Sequence, residues 1–541
     1  MHVSIFNDVI GPVMRGSSSS HCAAALRIGR LARDLMDAEL TRVLVEFDRE
    51  GSLPTTHDSQ GSDMGLCGGL LGMDAADPGV PTSVETLRAA GITFDVAVVD
   101  SHDPHPNTYR LTLENDRERH TMIAISTGGG MMEVINVDGF SVSMGGDYFE
   151  TLIFVDERAD DVATFIQLHM AVDDVIIHRL GTGPGPTEAA TAGSDRRRWL
   201  IQVRGQENAD AQVEMELQRM VPGMTLHRLK PVLPVGSRAG LKVPFSTAAE
   251  LVALDPAGAR RLWEWAAEYE MARGDLSEAE VLAKMVEIVR LLRASIAQGI
   301  EGTSYEDRLL GHQSGGFKQQ LDAGRLLNTG ALNRAVLYVT ALMEVKSSMG
   351  VIVAAPTAGA CAALPGACIA FAEELGKSEE DMARAMLAAG AIGLFIASQW
   401  TFAAEVGGCQ AEGGSAAAMA AAALVTLADG TLPQALGAAS MALQSMLGLI
   451  CDPVAGRVEA PCLGKNVIAA SNAASCANMA LAGYDPLIPF DEVVDAARRV
   501  ANQMPREHRC TSLGGLATTP TALKLEAALM TQRRCSTGCA C

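Results

Sequence analysis

At 541 residues, 48% hydrophobic and 20% charged, the chain is globular rather than disordered and too long for one core, so roughly three or four domains are expected. Its 43 basic and 64 acidic residues leave a formal charge of -21. A surface that acidic repels phosphate backbones and anionic lipid. This argues against nucleic acid and membrane surfaces as partners, and it makes a small anionic substrate depend on local basic or metal groups.

Residues 1–8 lack both a basic stretch and a long apolar run, so no signal peptide is read and a cytoplasmic location is expected. Twelve cysteines in such a chain point to buried thiols, metal ligands or redox chemistry rather than a disulfide scaffold. Residues 1–149 read as an α/β (α+β) domain. Helical spacing covers 23–38, and β-rich runs occupy 41–47, 94–99, 109–113 and 121–126. A break at Gly128-Gly129-Gly130 precedes a strand at 132–137. Residues 150–232 change rhythm: strand 151–155, helix 159–170, strand 174–178, a Gly-, Pro- and Thr-rich loop at 181–192, strand 200–203, helix 209–220 and strand 225–229. Two βαβ units fit the ferredoxin-like layout of small ligand-sensing domains. Residues 231–236 read as a linker. An all-α domain follows over 246–534, amphipathic at 248–293 and Ala-rich from 335 to 482, and then a cysteine-rich tail at 535–541.

Three stretches, 347–372, 385–404 and 430–451, carry no charged side chain and are long enough to span a bilayer. Pro356, Pro365 and Pro433, together with the Ala and Gly content and sparse basic flanks, favour helices buried on all sides instead.

The chemistry-bearing residues gather in two loops of the helical region. One runs Gly407-Gly408-Cys409-Gln410-Ala411-Glu412-Gly413-Gly414; the other runs from Cys451-Asp452-Pro453 to Ala460-Pro461-Cys462. Glycine permits close backbone approach to a bulky ligand, and proline stiffens a loop that presents a thiolate. Three thiolates converging from helix ends suit an iron–sulfur cluster with one open iron. Three buried cysteines acting as small apolar residues fit the same spacing. Near the N-terminus, Ser17-Ser18-Ser19-Ser20-His21 offers hydroxyls and an imidazole just before a helix, where spare N–H groups favour a carboxylate. An ordinary serine cap with a surface histidine is the alternative.

From end to end the chain resembles the iron–sulfur L-serine dehydratases, with both halves of the usual two-part enzyme in one polypeptide. Ile10-Gly11-Pro12-Val13-Met14 and Gly16 through His21 match the family's opening signature. Gly51-Ser52 through Gly61-Ser62-Asp63 and His105-Pro106-Asn107-Thr108 match later parts of the β half. Ala355-Pro356-Thr357-Ala358-Gly359, the two cysteine loops and Gly514-Gly515-Leu516-Ala517-Thr518-Thr519 match the α half. Residues 150–230 fall where many relatives carry an ACT domain.

The resemblance implies a 4Fe–4S cluster on Cys409, Cys451 and Cys462, whose fourth iron holds the substrate and acts as a Lewis acid. It implies substrate-carboxylate contacts from Ser17, Ser18, Ser19 and Ser20, with Asn107 as a further substrate contact, and a homodimer. It also implies that the last cysteine, Cys541, caps the open iron until substrate displaces it; a frayed tail is the plain alternative.

Some positions depart from the family. Gln60 stands where relatives usually carry a histidine, Cys22 where they carry threonine, and Gly408 is a one-residue insertion. Glutamine is no general base, so His57, His21 and His105 become the catalytic candidates. The expected reaction is deamination of L-serine to pyruvate and ammonia. A lyase for another β-substituted amino acid, such as threonine or cysteine, and a non-catalytic amino-acid sensor are the alternatives. Cys361, Cys368 and Cys476 are expected in the core, and Lys346, Lys377 and Lys465 lack the surroundings of a pyridoxal-phosphate lysine.

Overall fold

The computed structural model describes residues 2–36, 39–180 and 198–536, the last five of these without side chains. The loop expected at 181–192, Cys539 and Cys541 lie outside the described residues. Three separate apolar cores, two in the N-terminal α/β region and one in the helical C-terminal region, make the chain multidomain.

The first core is built on a six-stranded sheet. Its strands are β1 (Arg42–Asp48), β2 (Thr93–Val99), β3 (Thr108–Glu114), β4 (Arg119–Gly128), β5 (Met131–Val137) and β6 (Phe140–Met144), in the order β2-β1-β3-β4-β5-β6. Only β1 and β2 pair in parallel. Strand β6, absent from the sequence reading, closes one edge. Burial alternates along β3, as a sheet with one packed face requires. Helices α1 (Ala24–Asp34) and α2 (Ser62–Leu70) pack against each other. They approach so closely that a Cβ at Gly69 would overlap the Leu26 carbonyl and one at Gly65 the Cys22 carbonyl. The contact fixes the start of α1, and with it the Ser17–His21 loop.

A four-stranded antiparallel sheet follows. Strands β7 (Phe149–Val155), β8 (Val172–Arg179), β9 (Trp199–Gly205) and β10 (Thr225–Leu229) lie in the order β10-β7-β9-β8. With α3 (Ala159–His169) and α4 (Ala211–Met220), the connectivity is βαββαβ, the ferredoxin-like layout read from the pattern.

Beyond residue 246 the described chain is almost wholly helical. The run expected as one amphipathic stretch divides into Ala248–Leu254, α5 (Leu262–Gly274) and α6 (Glu278–Glu301), two of them opened by capping boxes at Thr247 and Ser277. Helices α7 (Ala331–Ser347), α8 (Ala363–Glu374), α9 (Glu379–Gln399), α10 (Ser415–Leu427), α11 (Leu432–Gln444) and α12 (Ala460–Leu481) form the Ala-rich core, flanked by α13 (Phe490–Gln503). Among the described residues α9 alone is long and apolar enough to cross a membrane, and 78% of its apolar window is buried inside the protein.

The N-terminal residues stitch the halves together. Ile5 and Val9 fill the space that Gly390 and Gly393 leave on α9. Ser4 Oγ and the Ile5 N–H donate to the Glu270 carboxylate at 2.5 and 2.9 Å. Val13 and Met14 pair with Val353 and Ile352 in a short antiparallel ladder.

Because α1 and α2 meet backbone to backbone, Gly69→Ala is expected to destabilise the chain by about 1–3 kcal/mol. Denaturant unfolding measures this, and an exposed helical control, Gly316→Ala in the helix Ser314–Asp322, where a Cβ meets nothing within 4 Å, separates the steric term from the helix propensity of alanine.

Candidate active site at the junction of the two halves

The short helix Ala404–Gly407 ends at Gly408, whose φ of +66° suits glycine. A Cβ there would sit 2.6 Å from Met504 Sδ. The residue at 408 therefore has to be small, and it delivers Cys409 to the head of the turn leading into α10. Cys451 lies on the loop after α11, its N–H bonded to the His508 carbonyl at 2.9 Å. Pro461 opens α12, and Cys462 sits in that helix's first turn, where the spare N–H groups favour a thiolate.

These elements bring Cys409 Sγ, Cys451 Sγ and a carboxylate oxygen of Glu412 within 4.8 Å of one another. Cys462 is near enough for its ionisation to respond to Cys409 and to Lys465. A fourth thiol, Cys510, packs with Cys409 and Cys451 and was not singled out in the sequence. All four are buried. Contact with Cys451, and then burial, hold the Cys409 thiol well above its usual range; burial does the same to Cys462. Lys465, one turn along α12 from Cys462, reaches Cys409 Sγ at 3.6 Å, Asp452 Oδ1 at 2.5 Å and the Ile450 carbonyl at 2.8 Å. Burial opposes the charge on its ammonium, but the surrounding thiols and Asp452 outweigh that and raise its pKa. Glu412 accepts from Thr357 Oγ1 at 2.7 Å, and burial lifts its carboxyl to about 7.

The β half closes over this nest. The Ala358 N–H donates to Ser19 Oγ at 3.2 Å, and Gln60 Nε2 donates to the Gly456 carbonyl, between Cys451 and Cys462, at 3.0 Å. Ser20 Oγ donates to Glu405 at 3.1 Å. Two buried atoms, Ser17 Oγ and Gln60 Oε1, have no hydrogen-bond partner among the described residues.

The three candidate histidines differ. His21 is 1% exposed rather than on the surface. Its Nε2 lies 2.9 Å from Thr56 Oγ1, and its Nδ1 lies 3.1 and 3.2 Å from Ser18 and Ser20 Oγ. Thr56 Oγ1 already donates to the Ser52 carbonyl, so His21 donates from Nε2 and accepts at Nδ1. Burial, reinforced by His57, pulls its pKa to about 3 and keeps it neutral. His105 Nδ1 accepts from the Asn107 N–H at 3.2 Å, and burial lowers its pKa despite Glu405 nearby. The Asn107 side chain is occupied by Ser52, whose hydroxyl donates to Asn107 Oδ1. His57 presents a different arrangement. Its Nδ1 bonds the Asp63 carboxylate at 2.8 and 2.9 Å, and its Nε2 has no protein partner among the described residues. Burial lowers its pKa, but the Asp63 hydrogen bond and charge, with Asp58, win and leave it raised.

The structure thus brings Cys409, Cys451, Cys462 and the serine loop to one junction. Cys541 lies outside the described residues. Asp63, Glu405, Glu412 and Cys510 were missed by the sequence reading. Glu412 lies in the Cys409 motif and could have been weighed there; Glu405 lies two residues ahead of that motif, and nothing local marks Cys510.

Residues 258–517 match the family model described as serine dehydratase alpha chain. The chain is 40% identical over 257 residues to the "Probable L-serine dehydratase, alpha chain" of Bacillus subtilis, covering 48% of this chain and 86% of that one. It is 37% identical over 160 residues to the "Probable L-serine dehydratase, beta chain" of the same organism, covering 30% of this chain and 71% of that one. It is 36% identical over 281 residues to the "L-serine dehydratase, alpha chain" of Peptoniphilus asaccharolyticus, covering 52% and 96%.

The His57–Asp63 pair has a pH signature. Because the folded-state pKa of His57 is raised, its contribution to stability is full below the ordinary value of 6.5 and disappears as pH rises through the folded value. Asp63→Asn is expected to move the His57 titration below 6.5, read by NMR of the labelled imidazole, and to reverse the pH dependence of the unfolding free energy, so that stability is lost as pH falls.

Proposed function

The chain belongs to the serine dehydratase family, joining in one polypeptide the parts that its Bacillus relatives carry as alpha and beta chains, and from that premise we propose that it is a lyase converting L-serine to pyruvate and ammonia. The observation that carries the reading is the buried thiol nest at the junction of the two halves. Cys409, Cys451 and Cys462 come from three elements, share one buried site with the Lys465 and Lys346 ammoniums close by, and are costly to ionise there without further positive charge. Such a donor set fits a 4Fe–4S cluster held by three thiolates. Bound there, the cluster would supply Lewis acidity toward the carboxylate and the leaving hydroxyl of the substrate.

The chain's own residues do the rest. Ser17 Oγ and Gln60 Oε1, buried and unpartnered, offer polar contacts that an amino acid would satisfy. We assign His57 as the base that takes the Cα proton at Nε2. Asp63 fixes its tautomer and holds the imidazolium once formed, as an orienting carboxylate does elsewhere. Neutral His21, with both ring nitrogens committed, is a positioning residue that braces the serine loop against Thr56. Loss of water from L-serine leaves aminoacrylate, which tautomerises to the imine and takes up water to release pyruvate and ammonia. The βαββαβ unit at 149–229 supports an ACT-like reading of the sensing segment.

Gln60 supports a second reading in which the same site acts on another β-substituted amino acid, because that contact differs in kind from an imidazole. Anaerobic assays on serine, threonine and cysteine, measuring 2-oxo acid, ammonia and sulfide, separate the two. Serine is expected to give the highest kcat/KM; iron-loaded protein with no turnover would refute both and favour a sensor. Cys409→Ser, Cys451→Ser and Cys462→Ser are each expected to lower bound iron. His57→Gln is expected to keep the iron and lose about 10²–10⁴ in kcat.

A further inference from the structure

The proposed reaction makes no use of Cys510, although its sulfur is bound into the thiol nest. It is 6% exposed and shares a small separate apolar cluster with Ala404, Cys409 and Cys451. Its thiol packs against that of Cys451, close enough for each to shift the other's ionisation. The two backbones run side by side. The Cys510 N–H points to the Cys451 carbonyl at 3.4 Å, the Cys451 N–H to the His508 carbonyl at 2.9 Å, and Cys451 forms a parallel bridge with Arg509.

Several anchors hold this register. Arg509 bonds the Met504 and Ala501 carbonyls at 2.8 and 2.7 Å. Ser512 Oγ donates to the Pro453 carbonyl at 2.8 Å, and the Leu516 N–H to Asp452 at 2.9 Å. Cys510 itself is held at a φ of +62°, a conformation that a residue with a Cβ keeps only when its surroundings impose it.

We propose that Cys451 and Cys510 are a disulfide-forming pair, and that their bond takes Cys451 out of the set of metal donors. Adjacent backbones and side chains packed together are what a disulfide requires. Cys409 is the competing partner for Cys451, but it comes from a separate helix end and its sulfur is engaged by Lys465. The oxidant is a low-molecular-weight disulfide. One cysteine thiolate attacks it and expels one small thiol, forming a mixed disulfide. The other cysteine thiolate attacks that bond at the protein sulfur and expels the second small thiol. The protein pair loses two electrons and two protons, and the small disulfide gains both. A cluster that has been lost then cannot be rebuilt until a reductant opens the bond. That consequence rests on the ligand role proposed for Cys451, whereas formation of the bond does not.

To test this, the holoenzyme is exposed to air with hydroxyethyl disulfide until its iron is lost. Free thiols are then alkylated and unreduced peptides mapped by mass spectrometry, which also separates any pairing among Cys535, Cys539 and Cys541. The expected product is a peptide joining Cys451 to Cys510, two hydrogens lighter than its separate thiol forms. Iron uptake is expected to stay about tenfold lower until a dithiol is added. Cys510→Ser and Cys510→Ala, checked for folding by circular dichroism, are expected to take up iron equally with and without the dithiol. Cys451 recovered as a free alkylated thiol, or joined to Cys409 or Cys462, would overturn the proposal, as would a Cys510 variant that still needs the dithiol. A chain that never binds iron would overturn the cluster reading instead; the Cys451–Cys510 peptide is still expected from it, and its absence there would sink the pair.

Discussion

Lys465 places one ammonium among several buried thiols, and the geometry of the site follows from what that charge touches. From α12 it reaches the Cys409 sulfur, the Asp452 carboxylate and the Ile450 carbonyl, so three chain segments meet on one side chain. Asp452 in turn accepts from the Leu516 N–H and ties in the segment that bears Cys510. A buried charge is tolerated only when it is paired and hydrogen-bonded, and here both conditions are met. The lysine is thus placed as a counter-charge among the thiols.

The Ala-rich helices explain how such a nest can be buried. Helices α8 to α12 place many alanines in the core, so their backbones can approach closely. The charge-free stretches that might suggest membrane spans are the interior of this bundle. Small residues serve the same end in the N-terminal half, where Gly65 and Gly69 let α1 and α2 touch and so set the position of the serine loop. Function here depends on close approach on both sides of one junction.

Much of this was readable from the chain, for reasons specific to each element. The strands at 151–155, 174–178, 200–203 and 225–229 are short apolar runs at regular spacing, and the structure puts each in the four-stranded sheet. The cysteine loops stood out because glycine and proline punctuate apolar helices there. Strand β6 was missed because Phe140–Met144 is only five residues long and follows β5 across a two-residue turn. The burial of His21 could not be read either. A serine-rich turn before a helix looks the same whether it faces water or a second half of the chain, and only Thr56 and Glu405, distant in sequence, decide it. Cys510 was invisible for a similar reason: it meets Cys451, 59 positions earlier in the chain, beside a single parallel bridge. Asp63 was visible as part of a motif, but its service to His57 depends on the turn that folds residue 57 back over the start of α2.

The placement of Ile5 and Val9 against Gly390 and Gly393 bears on how the polypeptide matures. In the growing chain, Ile5 and Val9 have to wait for a helix made almost four hundred residues later before they can bury their side chains. Until then the head of the molecule stays unsatisfied, and the α/β half can form its sheets while its leading edge remains open. Closure of that contact therefore has to follow the making of α9, and the same closure brings the serine loop towards the thiols.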